Sequence, residues 1–210
     1  MQDDAVSDTA ALLKRNAVTA YRAETADSLR GIEGECASRY FDVFDRSILQ
    51  QKDDFAFESR NRRPPLDPVN ALLSFGYSLM TSLCTSALEA AGLDPYVGVF
   101  HTERPGRCSL ALDLVEEFRA PFVDRFVLTL INKRQITASD FVRKENGAVL
   151  LKDDSRKQFL TYWQTKKQET IKHPYLGETV EWGMVPYVQA MLLAKAVRGD
   201  LDAYPPFIWK

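Results

Sequence analysis

The segment HTERPGRCSLALDLVEEF, residues 101–118, begins with a histidine and ends in a helix-like stretch that carries three carboxylates. On a helix that turns about 100° per residue, Asp113 lies one turn from both Glu116 and Glu117. Two carboxylates at this spacing can share a divalent cation, and His101 adds a nitrogen ligand suited to Mn²⁺ or Mg²⁺. A solvated acidic helix face and a hydrogen-bonded core histidine give the same pattern. Spacing alone does not choose between Glu116 and Glu117.

A second candidate acid is Glu33, in the segment RGIEGEC of residues 30–36. The segment has a helical pattern, yet glycines stand two positions before Glu33 and directly after it. Each glycine inside a helix costs about 1 kcal/mol relative to alanine. That cost is explained if something approaches the backbone closely, either another helix or a ligand that Glu33 holds. Glu35 is the competing acid, on a different side of the helix.

Arginines are concentrated in two loop segments. Residues 60–63, RNRR, are followed by two prolines, and Arg104 and Arg107 lie just after His101. The arginine fork pairs with two phosphate oxygens at once, and prolines hold such a segment extended. A disordered charged loop is the alternative. Acidic metal ligands flanked by arginines suit phosphodiester chemistry, because the metal neutralises oxygen charge while the arginines hold the DNA backbone.

Several other functional classes lack their sequence signals. The formal net charge is −2, so nucleic-acid binding has to come from local basic clusters. There is no P-loop, dinucleotide-binding fingerprint or nucleophilic-serine motif, and nothing orients Cys108 towards His101 as a catalytic pair. The three cysteines form no C-x-x-C pattern, the N-terminus is acidic and polar, and no apolar run approaches membrane-spanning length. These features favour a soluble cytoplasmic protein that does not bind membranes.

The apolar pattern predicts that helices position the candidate residues. Residues 8–47 predict two helical pieces, and residues 50–66 predict a mobile loop. Asp67 followed by Pro68 predicts the start of a long, largely apolar and therefore buried helix that ends at Gly92. Further segments complete a single, mostly α-helical domain over residues 1–210. They are a short strand at 96–100, a helix at 109–134 broken at Pro121, a short helix at 137–144, a turn at Asn146-Gly147 before a strand, and helices at 153–171 and 183–198.

Three linked motifs carry a family resemblance. They are RGIEGECASRYF, SRNRRPPLDPVNALLSFGYSLM and GLDPYVGVFHTERPGRCSLALDLVEEFRAPFVDR. Over residues 25–210 the chain resembles the CRISPR-associated integrase-endonuclease family, the catalytic subunit of the spacer-acquisition complex, and looks most like the type I form of subtype C. Members carry a β-rich domain before the helical catalytic domain. The chain begins where the helical part begins, so we expect a mainly α catalytic domain with the N-terminal β domain absent.

The resemblance implies a metal-dependent site. Its parts are a Glu in the G-I-E-G motif, a His after the short extended segment, and two acids at i and i+3 on the next helix, which here are Glu33, His101, Asp113 and Glu116. Glu33, His101 and Glu116 would hold Mg²⁺ or Mn²⁺, with Asp113 as a further ligand or an orienter. Glu116 is thereby selected over Glu117. The residues expected to contact DNA are Asn70, Arg60, Arg62, Arg63, Arg104 and Arg107.

The resemblance also implies a metal-dependent DNA endonuclease and integrase of CRISPR adaptation, which serves antiviral defence. Homodimers would assemble with a small ferredoxin-like subunit, hold a protospacer duplex, and join its 3′-hydroxyl ends to the CRISPR repeat by transesterification. Two other functions remain open. One is a non-catalytic helical module that binds DNA or a protein partner through the arginine loops. The other is a metal hydrolase for a small phosphorylated substrate.

Overall fold

The computed structural model describes residues 3–209, and most of them lie in helices. The α-helices are α1 (Asp4–Ala20), α2 (Ala26–Asp42), α3 (Pro68–Ala90), α4 (Ser109–Glu116), α5 (Arg125–Asn132), α6 (Asp153–Gln168) and α7 (Val185–Arg198). A π-helical turn, Arg119–Asp124, joins α4 to α5. Two antiparallel hairpins pair β1 (Phe141–Arg143) with β2 (Val149–Leu151) and β3 (Thr170–Lys172) with β4 (Thr179–Glu181). The predicted mainly α-helical fold is confirmed.

α3 is the central helix of the core, as its apolar sequence predicts. The carboxylate of Asp67 accepts a hydrogen bond from the backbone N–H of Asn70, and Pro68 stands in the first turn, where its missing N–H leaves no partner unsatisfied. Gly92, with φ of +77°, follows the end of the helix as predicted. α3 packs on α4, α7 and the π turn. By length and composition it could cross a membrane, although a core helix passes the same test, and 44% of that apolar window is buried inside the protein.

α1 and α2 pack on each other at the outside of the molecule, and the break between them confirms the two predicted helical pieces. The described residues of α1 are all at least partly exposed, and Phe41 alone is buried in α2. A Cβ atom added at Gly31 or Gly34 would meet nothing within 4 Å. Neither glycine is therefore approached closely by another helix within residues 3–209. A ligand held by Glu33 stays a prediction.

The helix predicted over residues 109–134 is interrupted at Pro121, as expected. Phe122 and Val123 both donate their backbone N–H to the carbonyl of Phe118, at 3.1 Å, which makes a turn wider than that of an α-helix. Such π turns are frequent at functional sites. Asp124 stands at the end of this one and is buried. The turn therefore brings a carboxylate into the core beside α3.

Two secondary-structure predictions are wrong. Residues 96–100 form no strand, because the backbone N–H groups of Val99 and Phe100 bind the carboxylate of Asp113 rather than a neighbouring strand. Residues 137–144 form a 3₁₀ turn followed by β1 rather than a helix. Asn146-Gly147 makes the predicted turn before β2, and closing that hairpin draws residues 141–143 into extended pairing.

Residues 50–66 form the predicted loop, and several of its side chains are held against the helical core. Phe55 and Phe57 are buried. The side-chain amide of Gln51 donates to the carbonyls of Ile131 and Ile136, at 2.8 and 3.0 Å. The loop thus has defined contacts on its way to α3, and its mobility remains a prediction.

Candidate metal and nucleic-acid site

Asp113 on α4 organises the loop that carries His101. Its carboxylate accepts the backbone N–H groups of Val99, Phe100 and His101, at 2.7, 3.0 and 2.9 Å. The same carboxylate lies 2.7 Å from Nδ1 of His101. Because an ionised carboxylate only accepts hydrogen bonds, Nδ1 carries a proton, and in the neutral ring Nε2 is then the nitrogen with a lone pair for another partner. Of the two roles left open for Asp113, this geometry fits the orienter.

Glu116, one turn further along α4, faces the same cavity as His101. The cavity has a volume of about 240 Å³. The side chain of Glu116 is 37% exposed, and its two oxygens accept from Nη1 of Arg119 at 2.9 and 2.8 Å. An imidazole and a carboxylate therefore line one shared space.

Glu117 is directed away from this cavity, although the sequence placed it on the same acidic side as Glu116. Its carboxylate accepts from the hydroxyl of Tyr204 at 2.6 Å, the side-chain amide of Gln189 at 2.8 Å and the backbone N–H of Phe207 at 2.8 Å. Burial raises the pKa of Glu117, and these three hydrogen bonds oppose that rise. Glu117 thus fastens the C-terminal segment to the end of α4.

Glu33 lies on the exposed side of α2 and faces a second cavity, of about 220 Å³, which Glu116 also lines. Glu116 is therefore shared by the cavity of His101 and the cavity of Glu33. Within residues 3–209, no three His, Cys, Asp or Glu side chains lie close enough together to hold a metal ion. The predicted ligands therefore line cavities in two pairs, His101 with Glu116 and Glu33 with Glu116. Binding of one cation by all three would require these side chains to move closer together. One imidazole nitrogen and two carboxylates suit Mg²⁺ or Mn²⁺ in type.

The arginines expected to contact DNA differ in whether they line the cavity of His101 and Glu116. Arg62, Arg63 and Arg107 line the cavity of His101 and Glu116, so positive charge surrounds its opening. Arg104 is exposed in the loop that follows His101 and is not among the residues lining that cavity. The first three are therefore placed to hold a phosphate beside the candidate metal ligands.

Arg60 and Asn70 are instead engaged with the protein. Asn70 is completely buried, and its amide group binds the backbone of Ser59 and Asn61. Arg60 donates to the side-chain oxygens of Asn70 and Ser74, and burial lowers its pKa to about 10. In this arrangement the two residues shape the arginine loop. A direct contact of Asn70 with DNA would require these bonds to open.

A polar cluster that the sequence did not predict lies beneath the site. Asp124 is buried and accepts hydrogen bonds from the hydroxyls of Tyr40 and Tyr77. The guanidinium groups of Arg60 and Arg119 lie over the ring of Tyr77, with their central carbons 5.3 and 5.0 Å from its centroid. The i+3 spacing of Arg119 from Glu116 was readable in the sequence. The burial of Asp124 was not, since it depends on the π turn and on tyrosines from two other helices.

We expect Asp124 to make the stability of the protein depend on pH. Burial raises its pKa to about 6, against hydrogen bonds from the tyrosines that lower it. The folded state therefore binds this proton more tightly than the unfolded state, and the stability it contributes is present at low pH and lost as pH rises through 6. Relative to Asp124→Asn, the wild type should lose about 2 kcal/mol of unfolding free energy between pH 4 and pH 8 in urea titrations. Tyr77→Phe keeps the carboxyl but removes a hydrogen bond that lowers its pKa, so its loss of stability should extend to higher pH. A wild-type curve parallel to that of Asp124→Asn would contradict the expectation.

Relatives of the chain agree with the resemblance drawn from its motifs. A family model described as CRISPR associated protein Cas1 matches residues 1–165. CRISPR-associated endonuclease Cas1 2 of Rhodospirillum rubrum is 55% identical over 207 residues, which make up 99% of this chain and 59% of that protein. CRISPR-associated endonuclease Cas1 of Leptospira interrogans is 52% identical over 198 residues, 94% of this chain and 78% of that protein. The chain thus spans only part of each relative's length, 59% of the first and 78% of the second.

Solved structures share the fold. A Cas1 protein from Thermotoga maritima superposes with a TM-score of 0.79 at 32% identity, covering 91% of this chain and 60% of that one. A casposase bound to its integration product gives a TM-score of 0.79 at 27% identity, with 89% and 53% covered. A partial Cas6-RT-Cas1–Cas2 complex gives 0.81 at 27% identity, with 97% and 59% covered. From the extent of the family match and the identity to its relatives, the chain belongs to the CRISPR-associated protein Cas1 family.

Proposed function

We propose that the chain is the catalytic domain of a CRISPR adaptation integrase, a metal-dependent enzyme that nicks DNA and joins strands by transesterification. The observation that carries this proposal is the cavity in which His101, with Nδ1 fixed by Asp113, opens beside Glu116 under a rim of arginines. The relatives named as endonucleases and the casposase bound to its integration product support the same chemistry.

The proposed ligand roles combine the family motifs with the cavities that these side chains line. Glu33, His101 and Glu116 would hold Mg²⁺ or Mn²⁺, which when bound activates the attacking 3′-hydroxyl and stabilises the leaving oxygen. Asp113 keeps Nε2 of His101 directed into the cavity by holding Nδ1.

In this proposal the arginines at the rim of the cavity bind the DNA substrate. Arg62, Arg63 and Arg107 would bind the phosphates that flank the reacting one, and Arg104 would extend this contact along the strand. Because the arginine fork engages two oxygens of one phosphate, it can fix the direction of the backbone as well as attract it. The 3′-hydroxyl and the scissile phosphate would thereby be held in line.

The partners proposed for this chain are those of an adaptation complex. They are a protospacer duplex, the CRISPR repeat, a second copy of the chain, and a small ferredoxin-like subunit. One structural neighbour is described as a complex of Cas1 with Cas2, which supports a partner of that kind. The type I system of subtype C and a cytoplasmic location belong to the same proposal.

Salt dependence of DNA binding tests the nucleic-acid role. With three arginines on the rim of the cavity, the logarithm of duplex affinity should fall against the logarithm of salt concentration with a slope of about −3. The Arg62→Gln and Arg107→Gln substitutions should each reduce the magnitude of that slope by about 1. The control Lys195→Gln, in the last turn of α7, should leave the slope unchanged. An affinity that does not change with salt would favour a small phosphorylated substrate instead.

Calorimetric titration with Mn²⁺ distinguishes a metal-dependent enzyme from a non-catalytic binding module. If the wild type binds Mn²⁺ and Glu116→Gln does not, the result supports the metal-dependent enzyme. DNA binding with the expected salt slope but without any Mn²⁺ binding would instead favour the non-catalytic helical module.

A further inference from the structure

Arg119 stands where the cavities around the candidate site meet. It lines the cavity of His101 and Glu116, the cavity of Glu33 and Glu116, and a third that Glu33 shares with Arg60. A single nitrogen, Nη1, donates to both oxygens of Glu116. The side chain of Arg119 is only 15% exposed, so this ion pair is better shielded from water than a typical surface pair.

Arg119 is also held by a second contact, with the ring of Tyr77. Its guanidinium carbon lies 5.0 Å from the centroid of the Tyr77 ring, and the hydroxyl of Tyr77 donates to the buried carboxylate of Asp124. The guanidinium group of arginine stays protonated in proteins. Arg119 is therefore a permanent cation, and Tyr77 would keep it in the cavity even without Glu116.

We propose that Arg119 and a divalent cation compete for the carboxylate of Glu116, and that the displaced guanidinium of Arg119 then binds a DNA phosphate in the same cavity. This inference rests on the proposed function. It deepens that function by making metal binding and substrate binding depend on one another through a single side chain.

Charge explains why the exchange would occur. Glu116 and Arg119 neutralise each other in the structure, with both carboxylate oxygens occupied by Nη1. A divalent cation at Glu116 needs at least one of those oxygens, and it repels the guanidinium that leaves. The cavity then holds excess positive charge, which a phosphate neutralises. Metal and DNA should therefore each raise the affinity for the other, by the same factor.

The Arg119→Gln substitution tests the competition, because glutamine keeps a polar side chain and removes the positive charge. We expect Mn²⁺ to bind Arg119→Gln about three- to fivefold more tightly than the wild type in calorimetric titrations without DNA, since the competing ion pair is gone. Arg119→Lys keeps a competing cation and should stay close to the wild type. In the presence of Mn²⁺, duplex affinity of Arg119→Gln should fall severalfold.

A second measurement needs no variant protein in the titration. On adding Mg²⁺ to the wild type, the Nε–Hε resonance of Arg119, assigned from its absence in Arg119→Lys, should shift as the ion pair opens. An unchanged resonance at saturating Mg²⁺ would overturn the exchange.

The outcomes separate this inference from the proposed function. If Arg119→Gln binds Mn²⁺ equally or less tightly while Glu116→Gln abolishes binding, Arg119 merely positions Glu116, and the metal-dependent function stands without the exchange. If the wild type binds no Mn²⁺ at all, the exchange and the metal-dependent function both fail.

Discussion

His101→Ala and Glu116→Ala are each expected to lower the rate of Mn²⁺-dependent DNA nicking and strand joining by at least about 100-fold. Both side chains open into one cavity, and each would supply a metal ligand that no other residue lining that cavity can replace. The expected loss is in catalysis rather than in folding. Rates are measured on a nicked or branched duplex, with thermal unfolding followed for each variant.

Stability should change little in these two variants. Glu116 is partly exposed and makes one ion pair, but its removal leaves the shielded Arg119 without that partner, so the folded state should lose about 1–2 kcal/mol. His101 is bound through Nδ1 to Asp113, but the backbone N–H groups that fix its loop bind the same carboxylate without the ring. A thermal unfolding midpoint within a few degrees of the wild type would show that the variant is folded and that its loss of activity has another cause.

Glu89→Ala and Glu103→Ala are the matched controls. Glu89 is exposed on α3, and Glu103 is exposed two residues after His101 in the same loop. Both remove one carboxylate and should retain the wild-type rate. Full activity in either His101→Ala or Glu116→Ala would remove that residue from the site, whereas equal losses in the controls would point to a general effect of charge.

The fold was predictable where local signals agree with the final packing. Asp67 and Pro68 mark the start of α3, and Gly92 follows its end, because a cap, a proline and a left-handed residue act on their own turn of the chain. The interruption at Pro121 was predictable for the same reason, since a proline inside a helix removes one hydrogen bond from its own turn.

The site was less predictable because its decisive contacts join distant parts of the chain. Asp113 prevents a strand at residues 96–100 by binding backbone N–H groups thirteen and fourteen positions earlier. Glu117 leaves the acidic face for partners up to ninety positions later, in the C-terminal segment. Helical periodicity contains neither contact, so it could not separate Glu116 from Glu117. The family motifs made that choice in the sequence, and it stays a prediction to be tested by activity.

Asp113→Ala is expected to lower the free energy of unfolding by about 3 kcal/mol, and Mn²⁺ affinity by about 10- to 100-fold. The carboxylate, 13% exposed, accepts three backbone N–H groups and faces Nδ1 of His101. Hydrogen bonds to a charged acceptor contribute about 1.5–3 kcal/mol each, but water can reach part of this loop and replace some of them. Without Asp113 the imidazole is also free to turn, so Nε2 no longer points steadily into the cavity.

Asp94→Ala provides the comparison, since Asp94 accepts a single backbone N–H, that of Tyr96, in the same loop. It should cost about 1 kcal/mol and leave Mn²⁺ affinity unchanged. Asp113→Asn is the sharper variant, because its amide nitrogen would face a backbone N–H that it cannot accept. It should therefore lose most of the stability that Asp113→Ala loses, although its volume is preserved. If Asp113→Asn were as stable as the wild type and bound Mn²⁺ as tightly, Asp113 would neither fix the loop nor orient His101.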